Sequence, residues 1–410
     1  QHHLGFIGAL AVTLGIGAAL AAEAPTASAD TATGFDSTRG QSAAPAHNTV
    51  GAIRRASNPA VARDRARRHI DARAPRALIQ PDPTAQPGLT ITRSGQSPLL
   101  LPSGSTGAAE LSGVTFAGDT TYYAVGDNGA TKIWQLYTSL DSATSRIRST
   151  LVTTGIAAPG MGSDSEGIAL GPGGNNVWIT DEIDSSINEF SLATGLKVGS
   201  VTVPAIYRPA NVQNNMGLES LTYGRGTLWT ANEEALRPDG ALSTTSAGSW
   251  VRIQEFTGPD LAAGTQYAYR TDPISRMSPF VNVERSGLVD LLALPNGGVL
   301  ALERELGGYL PHYRTRIYLL NFTGASDVTT VASLSSDSFT AVGKTLLWQG
   351  NTGFSNFEGI TLGPALSEGS YALLLISDNG SGAMAQRQDS FSLILRGVAD
   401  PTPAPTPIEM

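Results

Sequence analysis

From residue 90 onward the apolar residues fall into short runs rich in Val, Ile, Leu, Thr and aromatics, each bounded by Gly, Asn, Asp or Pro. Long stretches with the 3.6-residue spacing of a buried helix face are absent, so the pattern predicts an all-β fold of many short strands. One phrase recurs five times. An acidic or small residue and a Gly or Ser lead into an apolar strand, and after a turn a second apolar strand ends in Asp, Asn or Glu. The first copies are Glu110-Leu-Ser-Gly-Val with Tyr122-Tyr-Ala-Val-Gly-Asp127-Asn128, and Ser165-Glu166-Gly-Ile with Val177-Trp-Ile-Thr-Asp181-Glu182. Next come Leu218-Glu219-Ser-Leu with Leu228-Trp-Thr-Ala-Asn232-Glu233-Glu234, and Arg285-Ser286-Gly-Leu with Val299-Leu-Ala-Leu-Glu303-Arg304-Glu305. The last is Phe357-Glu358-Gly-Ile with Leu373-Leu-Leu-Ile-Ser-Asp378-Asn379.

The copies lie 56, 53, 67 and 72 residues apart, measured at positions 110, 166, 219, 286 and 358. Such intervals fit a four-stranded blade with variable loops, and the repeat selects a β-propeller from among the all-β folds. Third strands are expected over residues 132–137, 186–192, 250–256, 316–322 and 391–396, and fourth strands over 149–153, 197–203, 267–271 and 328–334. The last unit lacks a fourth strand of its own. Residues 89–93 or 97–102 can supply it from the N-terminal side and close the ring. Five blades are counted, and residues 271–284 or 335–356 leave room for a sixth.

Hairpin geometry turns the repeat into a statement about chemistry. In an antiparallel meander the start of the first strand and the end of the second lie at the same edge. This brings Glu166 toward Asp181 and Glu182, Glu219 toward Glu233 and Glu234, and Glu358 toward Asp378 and Asn379. Copied around a ring, the acids line one mouth of the central channel. Carboxylates that close must be protonated or neutralised by cations. Oxygen donors without Cys and with little His suit Ca²⁺ or Mg²⁺ better than zinc. The competing reading is structural, with acids beside Gly tying neighbouring blades through backbone N–H groups. Arg304, between Glu303 and Glu305, can clamp an anionic substrate or pair with a neighbouring Glu. Lys344, Arg316 and Arg387 are lesser candidates for such contacts, and His312 reads as a loop residue.

Charge and composition narrow the function. The chain holds 27 basic and 35 acidic residues and no Cys. Residues 1–89 take nine Arg and six acids, leaving 18 basic against 29 acidic residues, a balance of −11, for the rest. That excess argues against nucleic acid as a partner and suits cation binding. Residues 4–21 are apolar, uncharged and Ala/Gly-rich, so residues 1–29 read as a signal peptide, with a single membrane anchor as the alternative and no stable span expected in the mature form. Residues 30–89, with eight Arg between Arg54 and Arg76, read as a disordered linker or propeptide, and residues 400–410 as an extended Pro-rich tail. The folded domain is placed at residues 90–399. A secreted or periplasmic monomer is expected. There is no G-x-S-x-G elbow, no H-E-x-x-H and no P-loop, so hydrolysis would fall to carboxylate-bound metal.

Several ordered blocks resemble a known family. Asn215-Met-Gly-Leu-Glu219-Ser-Leu with Leu228-Trp-Thr-Ala-Asn-Glu233 is similar to its GLEGL…LWxxxE block. Ser286-Gly-Leu-Val-Asp-Leu-Leu-Ala-Leu with Leu302-Glu303-Arg304, and Asn356-Phe357-Glu358-Gly359-Ile with Leu373-Leu-Leu-Ile-Ser-Asp378-Asn379, resemble two further blocks. Together they resemble the phytase-like domain described as having esterase-like activity, over about residues 100–398. The resemblance implies a β-propeller, export, and phosphoester or carboxylester hydrolysis with divalent metal. It carries over to Glu219, Glu233, Glu303, Arg304, Glu358, Asp378 and Asn379. Ser220 stands where the family has Gly, and Ser286 where it has an acid. The expected site has Glu219, Glu303, Arg304 and Glu358 as catalytic residues. Asp127, Glu166, Asp181, Glu219, Glu233, Glu358 and Asp378 are the metal ligands, and Arg304 and Lys344 hold the substrate anion. Ca²⁺ (or Mg²⁺) is the expected cofactor, and a small-molecule ester or phosphoester the substrate. A non-catalytic ligand-binding propeller with structural calcium, and a calcium-dependent lactonase-type propeller, are the alternatives.

Overall fold

A computed structural model describes residues 88–100, 108–275, 285–306, 312–336, 338–367, 369–380 and 386–398. The expected signal peptide, the linker up to residue 87 and the Pro-rich tail lie outside the described residues. Among the described residues there is no helix long and apolar enough to cross a membrane.

The chain is a β-propeller. Its first strand, β1 (Thr90–Leu100), is followed by a meander of β2 (Leu111–Gly118), β3 (Thr121–Gly126), β4 (Lys132–Leu140) and β5 (Ile147–Val152). After the two-residue β6 (Ile156–Ala157) comes a second meander of β7 (Ser165–Leu170), β8 (Asn176–Asp181), β9 (Ser186–Ser191) and β10 (Lys197–Val201). A third holds β11 (Leu218–Gly224), β12 (Thr227–Asn232), β13 (Trp250–Thr257) and β14 (Ala262–Arg270). A fourth holds β15 (Arg285–Ala293), β16 (Val299–Leu306), β17 (Tyr313–Asn321) and β18 (Gly343–Gly353). The fifth has β19 (Asn356–Ser367), β20 (Ser370–Asp378) and β21 (Asp389–Arg396), and β1 completes it as the outermost strand, antiparallel to β21 from Thr90↔Arg396 to Pro98↔Asp389. The last two residues of β1, Leu99 and Leu100, then pair in parallel with Thr150 and Leu151 of β5. The N-terminal strand thus fastens the fifth unit to the first, the closure expected from the sequence.

The first strands contact one another in a closed cycle, β2 to β7 to β11 to β15 to β19 and back to β2. The buried apolar residues follow the same cycle. They form separate clusters between neighbouring units. Val125, Ile133, Ile168 and Phe190 join units one and two. Trp178, Ile187, Leu221 and Phe256 join two and three, and Val251, Tyr269, Leu291 and Tyr318 join three and four. Leu300, Ile317, Phe357 and Leu375 join four and five, and Leu111, Trp134, Leu374 and Ile376 join five and one. The inner strands are covered on both faces, which is why β16 is buried along its whole length, its charged Glu303-Arg304-Glu305 included.

The Gly of the repeated phrase has a packing cause. A Cβ on Gly113 would lie 2.3 Å from the backbone oxygen of Glu166, and one on Gly359 2.3 Å from that of Ser112. Neighbouring first strands therefore approach too closely for a side chain. Just beyond, side chains tie one first strand to the next. The backbone N–H groups of Leu170, Ala293 and Phe116 donate to the hydroxyls of Thr115, Thr222 and Thr361 at 3.1, 3.0 and 3.0 Å. In the fourth unit Asp290 takes this role, accepting from the N–H of Ile360 at 2.8 Å. The later residues of all five first strands enclose a channel pocket of ≈ 240 Å³ away from the acids.

One expectation needs correction. The fourth strand of unit four is β18, not residues 328–334. That segment lies against the edge of unit three instead. The N–H of Val328 donates to Gln266 at 2.8 Å, and the carbonyls of Val328 and Val331 accept from the buried Arg252. Arg252 is itself paired with Asp239 at 2.7 Å. Of the room left for a sixth blade, residues 343–353 belong to β18, and residues 276–284 lie outside the described residues.

Candidate metal centre at the channel mouth

The ladders place the start of each first strand opposite the end of the second, as in Ser165↔Asp181, Leu218↔Asn232, Ser286↔Glu305 and Asn356↔Asp378. The acids therefore collect at one mouth. They form three overlapping groups, Glu110–Asp127–Asp378, Asp127–Asp164–Glu166 and Glu166–Glu182–Glu219. Within each group a set of carboxylate oxygens, one per residue, lies within 4.8 Å of one another. Asp127 and Glu166 each belong to two groups, so the acids make a continuous arc from the fifth unit through the first and second to the third.

Arg304 of the fourth unit closes the arc. Its Nη2 lies 2.9 Å from Glu233 Oε1 and 2.8 Å from Glu358 Oε1. Asn356 Nδ2 donates to Glu358 Oε1 at 2.9 Å and to Asp378 Oδ2 at 3.2 Å. The N–H of Gly380 holds Asp378 Oδ1 at 2.7 Å, and the N–H of Gly217 donates to Glu182 Oε1. The N–H of Glu110 donates to Asn379 Oδ1 at 2.7 Å.

Burial and mutual repulsion hold protons on this arc. Burial, followed by Asp378, Glu110, Glu358 and Asp164, pushes Asp127 up to about 10. Burial raises Glu358 to about 8 against the pull of Arg304, and Asp378 to about 6 against the Gly380 and Asn356 hydrogen bonds. Asp164 rises to about 6, burial again the main cause. Glu166, Glu182 and Glu219 lie well above the usual carboxylate range, through burial first and their acidic neighbours second.

The residues present fit a hard divalent cation. Oxygen is the only donor type in the arc, with neither Cys nor His in it. Asp127 Oδ1 and both oxygens of Asp164 are buried without a hydrogen-bond partner. Such groups are costly unless something else satisfies them. Calcium and magnesium take carboxylate oxygens of this kind.

The structure brings seven of the expected residues to the mouth: Asp127, Glu166, Glu219, Glu233, Arg304, Glu358 and Asp378. Asp181 lies just behind it, accepting from the N–H groups of Asp164 at 3.3 Å and Asp184 at 3.1 Å, with Gly162 packed on its carboxylate. Glu303 and Lys344 are placed elsewhere. Side chains alternate along β16, so Arg304 faces the mouth while Glu303 and Glu305 face the opposite way. Lys344 Nζ meets Glu303 at 2.6 Å and Asp272 at 2.8 Å, and lies over the rings of Tyr318 and Tyr269. Glu305 pairs with Arg316 there, and Ser275 donates to it at 2.9 Å through its N–H. Arg387 is exposed 3.5 Å from Asp389, and His312 is exposed.

Asp164, Glu182 and Glu110 were not among the expected ligands. Asp164 precedes Glu166 by two residues on the strand approach, so period-two alternation puts both on one side. That spacing was the available signal. Asn356 could not be singled out, because its role depends on the Glu358 and Asp378 side chains meeting around it.

Known proteins give distant structural likenesses and a clear family. The propeller of Dos1 is 9% identical, with a TM-score of 0.27, over 71% of this chain and 69% of that one. The glutaminyl cyclase of Myxococcus xanthus is 10% identical, with a TM-score of 0.34, over 75% of this chain and 97% of that one. The calcium-binding protein regucalcin from Agrobacterium tumefaciens is 13% identical, with a TM-score of 0.34, over 75% and 97%. No curated protein gives a significant sequence match. The phytase-like family, described by the esterase-like activity of phytase, matches over residues 106–380, which span all the acids of the arc, and the chain belongs to that family.

Proposed function

We propose that the chain is an exported, metal-dependent ester hydrolase, a phosphoesterase first, acting as a monomer on small-molecule esters at the mouth of its channel. The observation that carries this reading is the arc of buried carboxylates in which Asp127 and Asp164 keep oxygens without a hydrogen-bond partner. Asp127, Glu166, Glu219 and Asp378, with Glu110, Asp164 and Glu182, are the residues that would hold Ca²⁺ (or Mg²⁺). Lewis acidity toward an ester oxygen and toward water is the chemistry such an ion supplies when bound. Glu233 and Glu358 fix Arg304 at the one cationic sector of the arc, and Asn356 orients Glu358 and Asp378 from behind. Export is supported by the apolar segment at residues 4–21.

The test is turnover of p-nitrophenyl phosphate and p-nitrophenyl acetate by the purified chain, with Ca²⁺ and with chelator. Chelator should abolish turnover, and Asp127→Asn should lower it by about tenfold or more. Hydrolysis of neither ester, or turnover indifferent to both changes, would end this reading. Calcium that raises the melting temperature of a chain without turnover would favour the non-catalytic, ligand-binding propeller.

A further inference from the structure

The fourth unit differs from its neighbours at the mouth. Among the described residues it brings no carboxylate to the arc, because Glu303 and Glu305 face the other way. It brings cations. Arg304 is already engaged by Glu233 and Glu358 and is buried. The second cation is Arg285, the first residue of β15, opposite Leu306. Counted two residues back from Gly113, Gly167, Ser220 and Gly359, as Arg285 is from Gly287, the other units have Leu111, Ser165, Leu218 and Phe357, all fully buried. Arg285 alone of the five is only partly buried.

The surroundings of Arg285 are Glu233, Glu234 and Arg304, and burial lowers its pKa while Glu233 raises it. Both glutamates have other partners. Glu233 is paired with Arg304 at 2.9 Å, and Glu234 accepts from the N–H of Ser243 at 2.9 Å. Among the described residues, the contact shown for the Arg285 guanidinium is a hydrogen bond from Nη1 to Met216 Sδ at 3.3 Å. A thioether is a weak acceptor, and a guanidinium carries five N–H donors arranged for carboxylate or phosphate oxygens. A half-buried guanidinium whose one contact shown among the described residues is a thioether, beside an arc suited to cations, has the composition of an anion subsite.

We infer that Arg285 is the residue that grips the anionic group of the substrate, and that Arg304 serves as the internal counter-ion of Glu233 and Glu358. The inference rests on the reading of the mouth as a site for anionic esters, and it moves the substrate clamp from Arg304 to Arg285. The ligand class is a phosphate or phosphonate monoester. Its charged oxygens meet Arg285 on the fourth unit, next to the Glu233 end of the acids.

Two measurements on the full chain test this. In calorimetry with phenylphosphonate in the presence of Mg²⁺, Arg285→Ala should weaken binding by about tenfold or more, and Arg285→Lys by less. In steady-state kinetics the ratio of kcat/KM for p-nitrophenyl phosphate to that for p-nitrophenyl acetate should fall by a similar factor in Arg285→Ala, mainly through KM. Unchanged phenylphosphonate affinity in Arg285→Ala, or no phenylphosphonate binding by the unaltered chain, overturns the assignment. So does an equal loss on both esters, which marks a structural role. If phenylphosphonate binding depends on Arg285 but no ester is hydrolysed, the anion subsite stands and the hydrolase reading falls.

Discussion

Arg304 holds two buried carboxylates from different units, and that is its main energetic task. Removing one partner of a buried ion pair leaves an uncompensated charge, which costs about 3–5 kcal/mol. Arg304→Met should therefore lower the unfolding free energy by about that amount in chelator. Added calcium should recover part of the loss if ions then neutralise Glu233 and Glu358, and urea titration of both forms is the measurement. A loss under about 1 kcal/mol would mean that Glu358, whose carboxyl is raised to about 8, already sits protonated beside a dispensable arginine. Asp290 is a contrasting case. It sits in the middle of β15, and its oxygens accept from the N–H groups of Leu291 and Ile360, both at 2.8 Å. Asp290 thus ties neighbouring first strands, whereas Asp127 Oδ1 is buried without a hydrogen-bond partner.

The units are held by contacts between neighbours, and two of those contacts can be tested separately. Gly359 faces the backbone of Ser112 so closely that a methyl group would need the strands to part. Gly359→Ala should cost about 1–3 kcal/mol, as overpacking does. Gly324 has open space around its Cβ position but a φ of +75°, so a loss of similar size in Gly324→Ala would reflect backbone strain and not strand contact. The strand β1 completes the fifth unit and reaches onto β5 of the first. A chain beginning at residue 108 should melt at a lower temperature and with a broader transition than one beginning at residue 83. An unchanged melting curve would show that closure does not depend on this strand. The alternating clusters between units make such local opening the natural response, because each cluster involves only two neighbours.

For the molecule as a whole, the arc couples stability to protons and to cations. The carboxyls of Asp127, Asp164, Glu358 and Asp378 hold their protons to higher pH in the folded chain than when unfolded. Above the unfolded value of about 4, the native state then binds more protons than the unfolded state, so stability falls as pH rises. The decline runs from about pH 4 through 6, where Asp164 and Asp378 titrate, and 8, where Glu358 does, to about 10, where Asp127 does. In chelator the melting temperature should accordingly drop between about pH 5 and pH 8. Calcium binds the deprotonated form, so its stabilising effect should be larger at the higher pH. A calcium shift of equal size at both values would place its binding away from this arc.

Much of this molecule was legible in the chain. The five-fold phrase carried the propeller, the position of each hairpin and the edge where the acids meet, because alternation and antiparallel pairing are local rules that a single unit obeys. Glu166, Glu219, Glu358 and Asp378 were recognisable for that reason. The direction of Glu303 and Lys344 was not, since it depends on which neighbouring unit each face of β16 meets. Nor was the fourth strand of unit four, where residues 328–334 have an apolar pattern but are claimed by Arg252 and the edge of unit three. Ring closure decided the rest. It joined acids from four units into one arc, set Arg304 between the third and the fifth, and left Arg285 at the rim, distances that no single repeat contains.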